Sequence, residues 1–179
     1  MIIAFTGLKG SGKSTLAKYI RRNRGINRRP LARPIYKMVE ALLVYQGATK
    51  KEIAYLFGSG KEEPTPYLNG KTTRYALQTL GTEWGRELIS KNLWVDAWER
   101  SRKKTVGSTV VDDMRFTNEA IKLRELGGIL IRITREEDDR IDISHLSEIE
   151  QLRISVDHTI TNDGTPEDMY HELITKVKL

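Results

Sequence analysis

Short apolar runs alternate along this chain with longer segments in which apolar residues recur at helical spacing. The apolar runs predict five strands, at residues 2–5, 26–32, 109–111, 129–133 and 156–160. Helices are predicted at residues 13–23, 34–46 and 118–126, and from Pro166 onward with Thr165 as the N-cap. Strands that alternate with helices are typical of a parallel, doubly wound α/β sheet, and this is the fold class that we expect.

The middle of the chain interrupts this alternation. Residues 58–70 are punctuated by glycine, proline and asparagine, which predicts a loop. Residues 72–104 have helical spacing throughout, with breaks predicted near Gly81 and at residues 90–92. This region therefore predicts a helical insertion within the α/β sheet.

The length of 179 residues suits one domain with one sizeable core. We expect a core formed by residues 1–32 and 105–179, with the helical insertion at residues 33–104. Hydrophobic residues make up 39% of the chain and charged residues 30%, which is ordinary for a soluble globular protein.

Two absences in the sequence narrow the class of protein. The chain has no cysteine, which excludes a disulfide framework and a thiolate metal site. It has no apolar run long enough to span a membrane, and residues 1–3 lead straight into the first predicted strand. We therefore expect a cytoplasmic protein without a membrane partner.

The net charge of +6 is unevenly distributed. Ten lysines and arginines and no acidic residue precede Glu40, so this stretch carries +10 and the remainder −4. Three interpretations stay open: a nucleic-acid-binding patch, a basin that attracts small polyanions, and a solvated basic helix face.

The loop after the first predicted strand carries the most specific motif. Residues 7–15 are GLKGSGKST and match G-x-x-x-x-G-K-[ST], between a strand and a helix as the motif requires. The predicted phosphate-binding residues are Gly7, Gly10, Ser11, Gly12, Lys13, Ser14 and Thr15. Lys13 is expected to reach the β- and γ-phosphates, and Ser14 to offer its hydroxyl to Mg²⁺. The motif predicts a nucleoside triphosphate site and leaves the phosphate acceptor open.

Other features favour a small-molecule kinase among P-loop proteins. The chain has neither a D-x-x-G after an early strand nor an N-K-x-D, both expected of a GTPase switch, and it is small for an AAA-type motor. A helical insertion and a late arginine-rich segment are typical of nucleoside and nucleotide kinases. Asp112 and Asp113 follow a predicted strand, where one of them is expected to hold the magnesium or its water.

Four segments resemble phage-type deoxynucleoside monophosphate kinases, within the P-loop nucleoside and nucleotide kinase superfamily. They are residues 31–37 (LARPIYK), 74–86 (RYALQTLGTEWGR), 113–119 (DMRFTNE) and 160–164 (ITNDG). They follow the phosphate loop in the family's order and span nearly the whole chain. Residues 74–86 are the most specific, because this block is long and idiosyncratic.

The resemblance implies a binding site for the acceptor monophosphate. Lys9, inside the phosphate loop, would face the acceptor phosphate. The other implied acceptor-binding residues are Pro34, Ile35, Lys37, Arg74, Gln78, Gly81 and Thr82. Arg74 and Gln78 lie one helical turn apart and therefore on one face. Trp84 and Arg86 are secondary candidates, and we expect Trp84 to be a core residue that borders the site.

The resemblance also implies catalytic and metal-binding residues. It favours Asp113 over Asp112 for the metal and directs Arg115 to a phosphate, with an Arg115–Glu119 ion pair as the alternative. Arg135 would stabilise charge on the transferred group, with Arg140 as a weaker candidate, in a lid at about residues 134–150. His145 and Glu148 resemble an H-x-x-E spacing of the family, and we do not interpret them as a metal pair.

The implied reaction is transfer of the ATP γ-phosphoryl group to a deoxynucleoside 5′-monophosphate, with Mg²⁺ as cofactor. The acceptor oxygen is already ionised, so catalysis would depend on positioning and on charge neutralisation by Lys13, Mg²⁺ and arginines.

Two alternatives stay open. One is a kinase of dephospho-coenzyme A or of a nucleoside, for which Glu40 or Asp113 could serve as base; the other is a DNA-associated P-loop ATPase. We do not expect a nucleic-acid partner, and the sequence leaves a homodimer open. The resemblance to phage enzymes suggests action in an infected bacterial cytoplasm.

Overall fold

The computed structural model describes residues 1–104, 106–135 and 146–177, without the side chains of residues 146–148. The chain divides into two compact units. The first comprises Met1–Leu31 and Lys103–Leu179, and the second comprises Ala32–Arg102.

The first unit contains the five-stranded sheet. Its strands are β1 (Ile2–Thr6), β2 (Asn27–Arg28), β3 (Thr109–Val111), β4 (Gly128–Thr134) and β5 (His158–Thr161). They lie in the order β2-β3-β1-β4-β5, and every neighbouring pair is parallel. The predicted parallel α/β fold is confirmed. Only β2 is much shorter than predicted, because Pro30 has no N–H to continue a strand pairing.

Helices cover the sheet of the first unit. They are α1 (Lys13–Arg24), α6 (Thr117–Glu125), α7 (Leu146–Arg153) and α8 (Pro166–Val177). One core cluster joins apolar side chains of α1 and α8, such as Leu16 and Leu173, to Ile3, Phe5 and Val110 of the sheet. The apolar face of α1 thereby fixes the direction in which the preceding loop leaves β1. Helix α7 was not predicted, and it begins within the range predicted as a lid.

The start of α8 confirms the predicted N-cap. The Asp168 backbone N–H donates to Thr165 Oγ1 at 3.2 Å, while Asp168 Oδ2 accepts from Thr165 Oγ1 at 2.6 Å and from the Thr165 backbone N–H at 2.8 Å. These hydrogen bonds hold the pKa of the Asp168 carboxyl below its ordinary value. The reciprocal pairing satisfies donors that a helix start leaves free.

The second unit is helical. It contains α2 (Arg33–Tyr45), α3 (Lys50–Leu56), α4 (Thr73–Thr79), a π-helix (Leu80–Ile89) and nearly all of α5 (Leu93–Lys103). Two short 3₁₀ helices, Ser59–Glu62 and Pro66–Leu68, lie in the segment predicted as a loop. Helix α3 was not predicted. None of the helices in the described parts of the chain is long and apolar enough to cross a membrane.

The predicted helix break near Gly81 is wrong. Helix α4 continues directly into the π-helix, in which Gly81 and Gly85 are both buried. A Cβ at Gly85 would lie 2.3 Å from the Trp94 ring, and Trp94 Nε1 donates to the Gly81 carbonyl oxygen at 2.7 Å. The glycines therefore allow close packing rather than ending the helix. The break predicted at residues 90–92 is confirmed, since the π-helix ends at Ile89 and α5 begins at Leu93.

Candidate functional site

The loop between β1 and α1 has a backbone that only glycine adopts easily. Gly7, Gly10 and Gly12 have φ angles of 134°, 90° and 103°. A Cβ at Gly7 would lie 2.2 Å from the Ile133 carbonyl oxygen, so a side chain would also collide with β4. Successive backbone N–H groups in such a loop form a concave anion site, and the N-terminus of α1 follows it directly.

Lys13 is the first residue of α1 and lies across this loop. Its side chain is buried, and Nζ donates to the carbonyl oxygens of Gly7 at 2.5 Å and Leu8 at 2.6 Å. Ser14 and Thr15, the next two residues, are exposed on the first helical turn. A cation, the N–H groups of a helix start and two hydroxyls thus lie together at one end of the sheet, which suits a polyphosphate.

Asn162, from the loop after β5, braces the phosphate loop. It is buried, and its Nδ2 donates to the Ser11 carbonyl oxygen at 2.9 Å. A Cβ at Gly12 would lie 2.5 Å from the same Nδ2 atom. In the sequence Asn162 is part of the 160–164 motif, in a segment placed where a loop could contact a base, and nothing there links it to Ser11, because 151 positions separate the two residues.

We expect Asn162→Ala to weaken ATP binding by roughly 10-fold, because losing a buried hydrogen bond of ~1–3 kcal/mol releases the loop. Equilibrium titration with ATP measures this change. Asp163→Ala, an exposed neighbour in the same loop, is the matched control and should bind ATP as the wild type does. A folded Asn162→Ala protein with unchanged ATP affinity would show that the loop needs no brace.

The two aspartates after β3 have different surroundings. Asp112 is buried, and its Oδ2 accepts a hydrogen bond from Arg28 Nε at 2.9 Å and lies 2.7 Å from Arg28 Nη2 in an ion pair. Its Oδ1 is buried and has no hydrogen-bond partner among the described residues. Asp113 is half-buried, and its Oδ1 accepts a 2.7 Å hydrogen bond from the Leu31 backbone N–H.

The other predicted catalytic residues lie near strand ends of the same unit. Glu119 is buried, and its Oε2 accepts from the backbone N–H groups of Arg115 at 2.8 Å and Phe116 at 3.1 Å, which fixes the turn that carries Arg115. Arg135 is exposed and directly follows β4. Arg140, His145 and the Glu148 side chain lie outside the described residues.

Most residues predicted to bind the acceptor lie in the second unit, on α2, α4 and the π-helix. Ile35 and Gly81 are buried against each other, and a Cβ at Gly81 would lie 3.2 Å from Ile35 Cδ1. Pro34, Arg74, Gln78 and Thr82 are half-buried. Arg74 and Gln78 both lie on α4, one helical turn apart. Lys9, the remaining predicted residue, is exposed in the phosphate loop of the first unit.

Ion pairs occupy two of these cations. Arg74 Nε lies 3.7 Å from Glu62 Oε1, and Lys37 Nζ lies 2.5 Å from Glu40 Oε2. The second pair also engages Glu40, which we considered as a base for a nucleoside acceptor. An incoming phosphate could replace Glu62 at Arg74, because both are anionic oxygen acceptors.

The expectation that Trp84 is a core residue is wrong. Its side chain is 40% exposed, whereas Trp94, on α5, is 4% exposed. Gly85 of the π-helix packs against the Trp94 ring, and the Trp84 ring lies beside it, with the two ring centroids 6.1 Å apart. Trp84 was expected in the core because large aromatic side chains are mostly buried, but its ring is only partly covered.

Among the described residues, no three acidic or histidine side chains cluster to hold a metal ion. A magnesium ion here would need oxygens from bound phosphates in addition to a carboxylate. This is the usual mode of Mg²⁺ in phosphoryl-transfer sites.

Comparison with known proteins relates this chain to a family of kinases. The family model described as deoxynucleotide monophosphate kinase matches residues 63–173. A protein of Acanthamoeba polyphaga mimivirus, named provisionally as a deoxynucleotide monophosphate kinase, is 33% identical over 190 residues, covering 99% of this chain and 96% of that protein. The deoxynucleoside-5′-monophosphate kinase of Escherichia phage T5 is 29% identical over 104 residues, covering 58% of this chain and 39% of that protein.

Solved structures share the fold. The crystal structure of TT1252 from Thermus thermophilus superimposes with a TM-score of 0.51 at 16% identity, covering 99% of this chain and 96% of that chain. At this identity the likeness concerns the fold alone.

Proposed function

Because the chain belongs to the deoxynucleotide monophosphate kinase family, we propose that it transfers the γ-phosphoryl group of ATP to deoxynucleoside 5′-monophosphates. The observation that carries this proposal is the phosphate loop, in which three glycines with positive φ curve the backbone around the Lys13 ammonium group. The loop accounts for ATP binding, and membership of the family accounts for the acceptor.

The chain's own residues would act by position and charge. Lys13 would exchange its contacts with the loop carbonyls for the β- and γ-phosphates, and the N-terminus of α1 would stabilise the charge that develops during transfer. Arg115 and Arg135 are the further cations that we propose for the transferred group. The acceptor is an ionised phosphate oxygen, so no side chain needs to remove a proton.

P-loop kinases use ATP together with Mg²⁺, and the structure offers residues that fit this ion. The ion neutralises phosphate charge and polarises the transferred group when it is bound. We propose that the Ser14 hydroxyl and an aspartate after β3 hold it. Asp113, preferred in the sequence analysis, stays a prediction, but two observations support Asp112 better.

The first observation is the free carboxylate oxygen. Asp112 Oδ1 is buried without a hydrogen-bond partner among the described atoms, whereas Asp113 Oδ1 is engaged by the Leu31 backbone. The second is the face of the sheet. Val110 of β3 packs in the core cluster with α1, the helix that carries Ser14, and alternation of side chains continued past the end of the strand would place Asp112 on the same side of the sheet.

We propose that the second unit binds the acceptor monophosphate. The residues proposed in this unit are Pro34, Ile35, Lys37, Arg74, Gln78, Gly81 and Thr82, and the role of Lys9 in the phosphate loop stays a prediction. In this division residues 33–104 form the acceptor-binding region and residues 1–32 and 105–179 the core. The lid predicted at about residues 134–150 stays a prediction, because its residues 136–145 lie outside the described residues. The viral relatives support a role in the cytoplasm of an infected host, a bacterium if the chain is phage-encoded.

Arg74→Ala is expected to raise the KM for the monophosphate by roughly 10- to 100-fold, since a charge-assisted hydrogen bond contributes ~1.5–3 kcal/mol. The KM for ATP should stay unchanged. Steady-state kinetics with each substrate varied in turn measure both values. Arg100→Ala removes an exposed arginine from α5 of the same unit and is the matched control. An increase confined to the KM for ATP would contradict the assignment of Arg74.

One assay tests the reaction itself. ADP release is measured with dAMP, dGMP, dCMP, dTMP and their ribose counterparts as acceptors, beside nucleosides, dephospho-coenzyme A and duplex DNA. The proposal expects turnover with at least one deoxynucleoside monophosphate. Turnover with nucleosides or dephospho-coenzyme A alone, or ATP hydrolysis stimulated by DNA at low salt, would replace it with one of the two alternatives.

A further inference from the structure

Arg28 contacts only one of the two carboxylate oxygens of Asp112. Arg28 lies on β2 at the edge of the sheet, in register with Val110 of β3. Its Nη2 lies 2.7 Å, and its Nε 2.9 Å, from the same oxygen, Asp112 Oδ2. Arginine–carboxylate pairs frequently engage both carboxylate oxygens through two parallel N–H groups. Here both nitrogens lie against one oxygen, and Oδ1 is left without a partner among the described residues.

The two side chains of this pair also differ in burial. The Asp112 side chain is fully buried, while that of Arg28 is 30% exposed. A buried carboxylate with one unpaired oxygen is costly unless a ligand completes its coordination. Arg28 compensates the charge and fixes the plane of the carboxylate at the same time.

We propose that Arg28 is a positioning residue, which holds Asp112 so that Oδ1 is presented to the magnesium ion of bound Mg²⁺–ATP. This inference rests on the proposed function and on the assignment of Asp112 to the metal. Arg28 itself touches neither metal nor nucleotide in this proposal. It orients the metal ligand through hydrogen bonds and does not bind the metal. Loss of such an orienting residue typically lowers metal affinity about 10- to 100-fold.

The test compares ATP affinity with and without the metal. For each variant, equilibrium titration with ATP is made in excess Mg²⁺ and again in EDTA, and the ratio of the two dissociation constants gives the Mg²⁺-dependent gain. Arg28→Met is expected to reduce this gain by roughly 10-fold while the affinity in EDTA stays unchanged. A purely structural role of Arg28 would lower both affinities together and leave the gain unchanged, which would overturn the inference.

A second variant protects the test against misfolding, because Arg28→Met leaves a buried carboxylate uncompensated. The double variant Arg28→Met with Asp112→Asn has no such charge. If Arg28 acts through Asp112, the double variant should show the same Mg²⁺-dependent gain as Asp112→Asn alone. A further loss in the double variant would mean that Arg28 acts by another route.

Two more variants sharpen the result. Arg28→Lys keeps the charge but has no rigid pair of donors, so it should recover part of the gain lost in Arg28→Met. Arg124→Met breaks another Arg–Asp pair of the same unit, in which Arg124 Nη1 lies 3.2 Å from Asp157 Oδ1, and it should leave the gain unchanged. A loss in Arg124→Met equal to that in Arg28→Met would overturn a specific role for Arg28.

The variants distinguish failure of the metal assignment, failure of the positioning role and failure of the proposed reaction. If Asp112→Asn keeps the full Mg²⁺-dependent gain, the metal assignment fails and the inference with it. If Asp112→Asn loses the gain and Arg28→Met does not, only the positioning role fails. Phosphorylation of deoxynucleoside monophosphates is assayed separately on the wild type, so failure of the proposed reaction is distinguished from both.

Discussion

Lys13→Ala is expected to lower kcat/KM for phosphoryl transfer by roughly 10³-fold, equivalent to about 4 kcal/mol of transition-state stabilisation. The ammonium group is the buried cation of the phosphate loop, and we propose that the negative charge of the β- and γ-phosphates gathers around it. Alanine keeps the helix start, because it is the best helix former. Steady-state kinetics with ATP and the preferred monophosphate measure the effect.

The protein fold should survive this substitution. The change removes two hydrogen bonds from Nζ to loop carbonyls, each contributing ~1 kcal/mol, so the Tm should fall by only about 4–8 °C. Lys18→Ala removes an exposed cation from the same helix and should retain wild-type kinetics and Tm. A folded Lys13→Ala protein that transfers the phosphoryl group at the wild-type rate would contradict the proposed mechanism.

Gly7→Ala is expected to damage both stability and ATP binding. The φ angle of 134° disfavours any L side chain by about 1–2 kcal/mol, and the added Cβ would lie 2.2 Å from the Ile133 carbonyl oxygen. The loop and β4 must therefore separate, at a total cost of ~3 kcal/mol or more and a Tm lower by roughly 6–12 °C. ATP affinity should fall with it, because the N–H groups of the displaced loop no longer converge.

Gly107→Ala separates the two causes. Gly107 has a φ of 111°, yet a Cβ there would meet no atom within 4 Å. It should show only the backbone cost of about 1–2 kcal/mol and normal ATP affinity. Thermal unfolding and ATP titration of both variants check this. Equal losses of Tm in the two variants would mean that the collision with β4 has no energetic consequence.

The elements predicted correctly have signals that are local in the sequence. The apolar run of β3 predicted its bounds, Thr109–Val111, and Thr165 before Pro166 predicted the cap and start of α8. The glycine spacing of residues 7–15 predicted a loop between β1 and α1, and the structure has it with three positive φ angles. In each case a few adjacent residues carry the physical requirement.

The elements missed or misjudged depend on contacts between distant residues. Gly81 suggested a helix break, but Trp94 and Ile35 pack against this part of the helix and make glycine a requirement of the packing. The same π-helix leaves Trp84 40% exposed, although its large aromatic side chain had suggested a place in the core. Helix α3 begins with a capping box at Thr49 and Glu52, a local signal that we overlooked.

The sequence by itself determined the parallel α/β fold, the glycine loop that predicts a triphosphate site, and the kinase family. Each of these has a signal made of adjacent residues: the apolar strand runs, the glycine spacing, and the block of residues 74–86. Only the tertiary structure decided that Asn162 braces that loop, and that Asp112 Oδ1 has no hydrogen-bond partner in the described parts of the chain while Asp113 Oδ1 accepts from the Leu31 backbone. The physical reason is that two adjacent aspartates are equivalent in a sequence. They become different in the folded chain, where Asp112 meets Arg28 and Asp113 meets the Leu31 backbone, both from distant parts of the sequence.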